Sequence, residues 1–322
     1  MFAPARTYDA RSTAGSPQTL RAVEHIRRMH GGTQSHLMRC SDGHYYVVKF
    51  QNNPQHRRVL VNELLGTNLA ALLGLPTTSV AIIEVTADLI RLTPDLHIEI
   101  PWTGIWSLIP CQPGLQFGSC YPGDPHQLTL FDLLPDKQVL SARNVNDFVG
   151  MLVFDIWTCN TDGRQVIFGR QDIGTPYQAW MIDQGFCFNG GEWNFPDKPR
   201  RSLYARNAVY RQVVGIESFE PWLAKLESEI GVQLLWAIAK AIPPEWYEDD
   251  SESLCRLLEQ LDTRRSRVRE LLWSAWKSSP HAFPNWAEEG GTEGEKNPVS
   301  RNGSNIVTVS CSDPIADCER HI

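Results

Sequence analysis

The sequence has no CxxC pair and no Cys/His cluster with zinc-finger spacing, although it contains eight cysteines. It also has no apolar run close to the roughly 20 residues that a bilayer-spanning helix needs. Residues 1–18 are polar and lack the apolar core of a signal peptide, so we predict that they form a disordered N-terminal lead segment. These absences argue against a structural zinc site and a membrane partner, and they predict a cytoplasmic protein with reduced thiols.

Basic residues are not in excess either: the chain has 30 Lys and Arg but 37 Asp and Glu, so its formal net charge is −7. Seven acids and three bases follow Trp286, so this end segment supplies −4 of the total. The chain therefore lacks the broad basic face with which proteins displace counterions from nucleic acids, and we expect no direct nucleic-acid partner. Residues 287–322 are rich in Gly, Glu, Ser and Asn, which is typical of a disordered acidic tail.

The first third of the chain is rich in strand patterns. The Asp42-Gly43 turn separates two apolar runs and predicts a hairpin. Residues 19–29 are compatible with a strand or a short helix, whereas apolar spacing predicts a helix over residues 57–73, ended by Gly74. Further strands are predicted at residues 77–85 and 107–114, and a glycine-rich loop at residues 114–124.

Helical patterns dominate the remainder. Helices are predicted over residues 144–159, 219–230, 231–242 and 251–276, and two short strands over residues 166–170 and 179–188. This order indicates an α+β protein with two unequal lobes. The predicted divisions are a lead at 1–18, a β-rich lobe at 19–115, a helical lobe at 116–286 and an acidic tail at 287–322.

Residues suited to nucleotide chemistry follow one another along the chain. They are Gly31 and Gly32 before the hairpin, Lys49 in the apolar strand VVKF, Glu63 in the helix motif NELLG, Asp162 in CNTDGRQ and Asp183 in MIDQGF. Phosphoryl transfer from ATP needs a fixed positive charge on the phosphates, carboxylates for Mg²⁺, and a carboxylate near the acceptor hydroxyl. The lysine, the glutamate that orients it and the two aspartates supply these groups in the order that kinases use.

These motifs resemble those of the HipA-like kinases. Residues 31–76, from GGTQSHLM to LLGLP, are similar to the N-lobe of that family. The run FDIWTCNTDGRQVIF at 154–168 and the run MIDQGFCF at 181–188 resemble its catalytic and metal-binding loops. The Asp-x-Gly at 183–185 is also similar to the DFG motif of protein kinases. The resemblance spans about residues 19–276 and implies a bilobal, protein-kinase-like fold that binds ATP and Mg²⁺.

The resemblance assigns roles to individual residues. It implies that Lys49 contacts the α- and β-phosphates, that Asp162 is the catalytic aspartate and that Asp183 chelates Mg²⁺. Glu63 is expected to pair with Lys49, although Arg57 and Arg58 compete for the same carboxylate. The segment that covers the phosphates with backbone N–H groups contains Gly31, Gly32, Ser35 and His36.

The catalytic loop departs from the kinase pattern. A second metal ligand, usually Asn, is expected five residues after the catalytic aspartate, but Ile167 stands there. Gln165 is the predicted substitute for this ligand, and Asn160 is the alternative. Arg164 occupies a position where HipA-like kinases tend to have histidine.

The function that we predict is an ATP-dependent phosphotransferase that acts on an alcohol group, with a protein Ser/Thr hydroxyl as the expected acceptor. A small-molecule kinase on the same fold and a non-catalytic pseudokinase are the alternatives. The basic run Lys198, Arg200 and Arg201 is either a surface for an acidic or phosphorylated partner or a solvated loop. Ser119 lacks the G-x-S-x-G context of a nucleophile and is interpreted as a loop residue.

Overall fold

A computed structural model describes residues 18–287, except 103–104, 171 and 173. The predicted lead and acidic tail therefore lie outside the described residues, apart from the residues that border them. The strands are β1 Thr19–Arg28, β2 His36–Cys40, β3 Tyr45–Lys49, β4 Val80–Val85, β5 His97–Trp102, β6 Ile105–Pro110, β7 Gly114–Cys120, β8 Gln165–Gly169 and β9 Gln178–Ile182. The α-helices are α1 Val59–Leu72, α2 Ala87–Leu92, α3 Asp136–Leu140, α4 Asp147–Thr158, α5 Glu220–Ser228, α6 Val232–Ala239, α7 Ser251–Arg265 and α8 Val268–Ser278.

Five strands close into a barrel in the order β1-β2-β3-β7-β4. Neighbours are antiparallel except at the closure, where β4 runs parallel to β1. The predicted hairpin is present, with Leu37 opposite Val47, and residues 19–28 adopt the strand alternative. Side chains such as Met38, Val48 and Ile83 fill the interior and are fully buried. Burial of each such side chain contributes about 1.5–3 kcal/mol.

The prediction of a loop at residues 114–124 is wrong for its first half. Residues 114–120 form β7, which pairs with both β3 and β4. Glycine-rich composition suggested a loop, but Gly118 is required by a close approach of two strands. A Cβ on this residue would lie 2.4 Å from Cγ1 of Ile83. Ser119 is therefore a strand residue, and its hydroxyl lies 2.7 Å from that of Thr78.

Helices α1 and α4 form the centre of a second and larger core. Helix α1 buries leucines at positions 60, 64, 65 and 69, as the predicted spacing requires, and helix α4 is buried from Phe148 to its end. Trp157 of α4 is fully buried, and its ring N–H donates to the carbonyl oxygen of Leu261 in α7 at 2.9 Å. These contacts link the helices that carry or precede the predicted site residues.

The single helix predicted over residues 251–276 is two helices, α7 and α8, separated by Ser266 and Arg267. Two arginines at the interruption share a carboxylate on another segment, Asp197. Arg264 at the end of α7 donates to Asp197 Oδ1 at 2.9 Å, and Arg267 donates to its Oδ2 at 2.7 Å. Apolar periodicity continues across the break, so it did not reveal this tertiary contact.

The described residues form a mixed α/β protein in which strands dominate up to Cys120 and helices dominate afterwards. No described helix combines the length and the apolar character that crossing a bilayer requires. The division into lobes at residue 115 stays a prediction.

His36, a buried histidine of the hairpin, lies next to the partly exposed His25. His36 on β2 is fully buried, its Nδ1 lies 3.1 Å from Nε2 of His25, and its ring meets the Phe50 ring edge-on at 5.6 Å. Burial, together with the His25 charge, lowers the pKa of His36 from 6.5 to about 4. The folded protein therefore keeps His36 neutral at pH values where the unfolded chain protonates it.

This pKa difference predicts that stability falls on mild acidification. Below pH 6.5 the unfolded state binds a proton that the folded state does not, so stability declines until the pH reaches about 4. We expect His36 to account for a loss of about 2 kcal/mol between pH 7 and pH 5. Urea unfolding at several pH values measures the slope. The variant His36→Asn should flatten this part of the curve, and an unchanged slope in the variant would show that other groups cause it.

Candidate active site

Lys49 ends β3, and its ammonium group lies in a cluster of carboxylates. Nζ donates to Oε1 of Glu63 and, at 2.9 Å, to Oδ1 of Asp183. Lys49 is 7% exposed and Glu63 is 2% exposed. A buried ammonium needs such partners because the loss of hydration otherwise costs several kcal/mol. Residues from β3, α1 and the segment after β9 thus meet at one point.

Helix α1 also fixes the backbone near Asp183. The second carboxylate oxygen of Glu63, Oε2, accepts from the backbone N–H of Gln184 at 3.0 Å. The competitors considered from the sequence are engaged elsewhere, since Arg57 pairs with Glu248 and Arg58 pairs with Asp250. Glu63 therefore has Lys49 as its cationic partner.

Asn62 holds the segment that follows Asp183, a role that the sequence analysis missed. It is fully buried, and its Nδ2 lies within hydrogen-bond distance of three backbone carbonyls. These belong to Gly185 at 2.7 Å, Gly190 at 2.9 Å and Cys187 at 3.1 Å. Its Oδ1 accepts from the ring N–H of Trp193 at 2.8 Å. A buried polar residue beside Glu63 in an otherwise apolar helix was the available signal.

The backbone turns sharply at Asp183, where φ is +59°, in the left-handed region. Gly185 follows because no side chain fits there: a Cβ would lie 2.9 Å from Cγ1 of Val59 and 3.2 Å from Oε1 of Glu63. The Asp-Gln-Gly motif therefore brings Asp183 to Lys49 and packs its glycine against helix α1.

Helix α4 ends at the predicted catalytic loop. Cys159 adopts φ +52°, and the N–H of Asn160 reaches the carbonyl oxygen of Asp155 at 2.9 Å. This bond, five residues back, is a common way to end a helix at a left-handed residue. The next residues emerge toward the surface, and Asp162 is exposed there. Its Oδ2 accepts from the side-chain amide of Gln165 at 3.0 Å.

The two candidates for the second metal ligand differ in their surroundings. Asn160 is 1% exposed; its Nδ2 donates to Asp155 Oδ1 at 3.0 Å, and its Oδ1 accepts from the Asp162 N–H at 3.3 Å. Gln165 is partly exposed and contacts the Asp162 carboxylate. This geometry favours Gln165 over Asn160, and its role as a ligand stays a prediction. Ile167 is buried in β8.

Arg164 is a buried bridge between the two acidic motifs, and the sequence analysis did not find this role. Its guanidinium contacts both oxygens of Asp155, with Nε at 3.1 Å from Oδ2. The same group donates to the carbonyl oxygen of Ile182 at 3.0 Å and to Oε1 of Gln184 at 2.9 Å. Arg164 thus joins the end of α4 to the residues on either side of Asp183.

The surroundings shift the pKa values of the three ionisable groups in the cluster in different directions. Burial raises the pKa of Glu63 to about 7, although Lys49 opposes this shift. Burial also opposes ionisation of Asp183, yet Lys49 holds the pKa of this carboxyl below its usual value. For Lys49 itself, burial lowers the pKa, but the two carboxylates outweigh burial and raise it. With both carboxylates ionised the cluster has a net charge of −1, which an added cation would neutralise.

The segment predicted to cover phosphates connects β1 and β2. Gly31 and Gly32 are exposed, and Gly32 lies against the β3–α1 connection, since a Cβ there would be 2.6 Å from Nε2 of Gln55. Ser35 and His36 are buried, so the side chain of His36 is not available to a ligand. Its imidazole packs against the barrel because the strand register turns it inward.

The carboxylates present suit a metal ion that arrives with a nucleotide. Within residues 18–287, apart from the gaps, no group of three or more His, Cys, Asp or Glu side chains converges as a metal site. Mg²⁺ in nucleotide sites usually takes one or two carboxylates and completes its shell with phosphates and water. Asp183, with a 26% exposed side chain, and the exposed Asp162 supply that number.

Comparison with solved structures identifies the class of fold. A Helicobacter pylori proinflammatory kinase, CtkA, aligns over 80% of this chain and 98% of its own, with 15% identity and a TM-score of 0.52. The Golgi casein kinase aligns over 80% of this chain and 74% of its own, with 12% identity and a TM-score of 0.48. Hydra Fam20 aligns over 80% and 86%, with 10% identity and a TM-score of 0.47. The likeness to CtkA shows that the fold is kinase-like.

The family comparison is more specific. Residues 22–171 match the model described as HipA-like kinase, and the predicted resemblance to that family is thereby confirmed. The matched residues include Lys49, Glu63 and Asp162 but end before Asp183. No curated protein matches the chain. Together the fold and the family match support a phosphotransferase of the kinase type.

Proposed function

We propose that this protein is an ATP-dependent phosphotransferase with a bilobal kinase fold, whose cleft lies between residues 19–115 and 116–286. The observation that carries the proposal is the position of Lys49, which is buried between Glu63 and Asp183. The three residues come from distant parts of the chain. The Lys49 ammonium group is fixed between two carboxylates, and its single positive charge neutralises only one of them. This arrangement suits a triphosphate that brings a divalent cation.

Each residue has a part in the proposed reaction. Lys49 would bind phosphate oxygens, and Glu63 would keep the lysine side chain in place. Asp162 would accept or orient the proton of the acceptor hydroxyl. Reduced hydration and the charge of Asp183 raise the pKa of Asp162, against the opposing hydrogen bond from Gln165, and the raised pKa makes its carboxylate a better base.

Mg²⁺ is the metal that we propose, with Asp183 as its main ligand and Gln165 as a further one. When bound it would neutralise charge on the phosphates. Oxygen donors are the ligand type that Mg²⁺ prefers, and no soft ligand is among the proposed residues.

The test is phosphoryl transfer with labelled ATP and Mg²⁺. The wild-type protein should transfer phosphate to itself, to a protein acceptor or slowly to water. Asp162→Asn should reduce turnover by about 10²–10⁴-fold, the usual contribution of a catalytic base. Asp183→Asn should weaken Mg·ATP binding and bring transfer near background. Asp88→Asn removes an exposed carboxylate on α2 and serves as a control that should keep full activity.

Different results would separate the parts of the proposal. A wild-type protein that does not bind Mg·ATP would overturn the nucleotide site. Full activity of Asp162→Asn would show that another group receives the hydroxyl proton, even if Asp183→Asn is inactive.

A second candidate function is a non-catalytic nucleotide-binding protein. The observation in its favour is Ile167, which is buried in β8 where kinases place a metal-binding Asn. Binding of Mg·ATP without any turnover would support this alternative. For the active enzyme we propose a Ser/Thr hydroxyl of a protein in the cytoplasm as acceptor.

A further inference from the structure

A group of positive charges lies next to the Asp162 loop. Residues 198–202 follow Asp183 in the chain and contain Lys198, Arg200 and Arg201, which we call the basic surface. A small surface depression is lined by Asn160 and Thr161 together with Lys198 and Arg201. The basic surface therefore borders the two residues that immediately precede Asp162.

The three cations of the basic surface are exposed and have no ionic partner among the described residues. No described carboxylate lies within salt-bridge distance of Lys198, Arg200 or Arg201. The adjacent acid, Asp197, is already shared by Arg264 and Arg267. The net charge of this part of the surface is thus positive, although the formal net charge of the protein is −7.

The backbone that carries these cations is anchored. Residues Pro199–Ser202 form a 3₁₀ turn, in which the N–H of Arg201 donates to the carbonyl oxygen of Lys198 at 3.0 Å. Pro199 and Ser202 are buried, so the turn is held at both of its ends while its charged side chains face solvent. Such a turn presents fixed charge at a defined distance from the Asp162 loop.

We propose that the basic surface recognises acidic residues of the protein that carries the acceptor hydroxyl. The inference rests on the proposed function, because Asp162 marks where the hydroxyl must lie. Carboxylates close to that hydroxyl in sequence would then lie near Lys198 and Arg201, which line the same depression as Asn160 and Thr161. Three cations are too few for a nucleic-acid face, which commonly neutralises six or more phosphates, whereas they match a short acidic segment.

The test compares two labelled peptides on the full-length protein. One has a single central Ser flanked by Glu, and the other has Gln in place of every Glu. The variant Lys198→Gln/Arg201→Gln is matched by Arg91→Gln/Lys240→Gln, which removes the same charge from exposed residues on α2 and at the end of α6. Binding is followed by fluorescence anisotropy and transfer by labelled ATP, at low and high salt.

We expect the wild-type protein to favour the Glu peptide in binding and in KM. Lys198→Gln/Arg201→Gln should lose about fivefold for this peptide, as expected for two exposed ion pairs, and should leave the Gln peptide unchanged. The control variant should behave like wild type. High salt should remove the preference, because screening shortens the range of exposed charges to a few ångströms.

Four results decide the proposal. Equal binding of both peptides by the wild-type protein would overturn it, and so would equal losses in the two double variants. Tighter binding of a single-stranded oligonucleotide, lost on Lys198→Gln/Arg201→Gln, would assign the surface to nucleic acid instead. Selective binding of the Glu peptide without phosphoryl transfer would support recognition of acidic residues by the basic surface and would contradict the proposed catalysis.

Discussion

Replacing Arg164 with methionine is expected to destabilise the protein by about 3–5 kcal/mol, the usual cost of breaking a buried ion pair from one side. Asp155 is fully buried, and Arg164 contacts both of its carboxylate oxygens. Methionine fills part of the space but supplies no charge. Within the described part of the chain, the Asp155 carboxylate would keep only the amide of Asn160 as a side-chain donor.

Urea unfolding followed by tryptophan fluorescence measures this loss. Asp155→Asn in the Arg164→Met background removes the unpaired charge while keeping an oxygen for Asn160, and it should recover about half of the lost stability. Arg256→Met is the matched control, because Arg256 pairs with Glu252 on an exposed helix face. It should cost less than about 1 kcal/mol.

The same variant tests whether Arg164 positions the site. Its guanidinium also holds the backbone of Ile182 and the side chain of Gln184, on either side of Asp183. Where Arg164→Met remains folded, KM for Mg·ATP should therefore rise more than in other variants of equal stability. A destabilisation below 1 kcal/mol, with KM unchanged, would contradict the role of Arg164 as a bridge.

The features that the sequence predicted well are those set by local patterns. The Asp42-Gly43 turn, the leucine spacing of α1 and the short strand β8 each follow from neighbouring residues, whereas the strand predicted over residues 179–188 ends at Ile182. Lys49 was a candidate because phosphoryl transfer needs a fixed positive charge, which a lysine in the apolar strand VVKF can supply. The order of Lys49, Glu63 and Asp183 along the chain was also visible, and the structure brings these three side chains together.

The features that were missed depend on contacts between distant segments. Asn62 and Arg164 donate to backbone carbonyls of residues 182–190. Every residue has a backbone carbonyl, so the amino-acid sequence does not indicate which ones are bonded. Gly118 was interpreted as a loop glycine because composition cannot distinguish a turn from a close approach of two strands. The break between α7 and α8 likewise lies at a contact with a distant residue, Asp197, some seventy residues away.

Replacing Lys49 with methionine is expected to abolish phosphoryl transfer and to make stability more dependent on pH. Two acids, Glu63 and Asp183, would lose their shared cation, and Glu63 is 2% exposed. Burial already raises the pKa of Glu63 to about 7, and loss of Lys49 removes the main force that opposes this shift. Glu63 in the variant would therefore take up a proton near neutral pH.

The sign of the pH effect follows from that proton. A carboxyl with a raised pKa in the folded state stabilises the fold below its unfolded pKa, and this contribution is lost as the pH rises through the folded pKa. We expect Lys49→Met to cost about 3 kcal/mol at pH 8 and clearly less at pH 5. Unfolding curves for wild type and variant at both pH values measure the difference.

A second substitution separates the charge from the packing. Glu63→Gln in the Lys49→Met background cannot ionise, so the extra loss between pH 5 and pH 8 should disappear while phosphoryl transfer remains absent. The single variant Glu63→Gln keeps Lys49 and Asp183 paired and should retain measurable Mg·ATP binding. If Lys49→Met shows the same destabilisation at both pH values, Glu63 does not take up the proton, and the cluster draws its stability from contacts other than this ion pair.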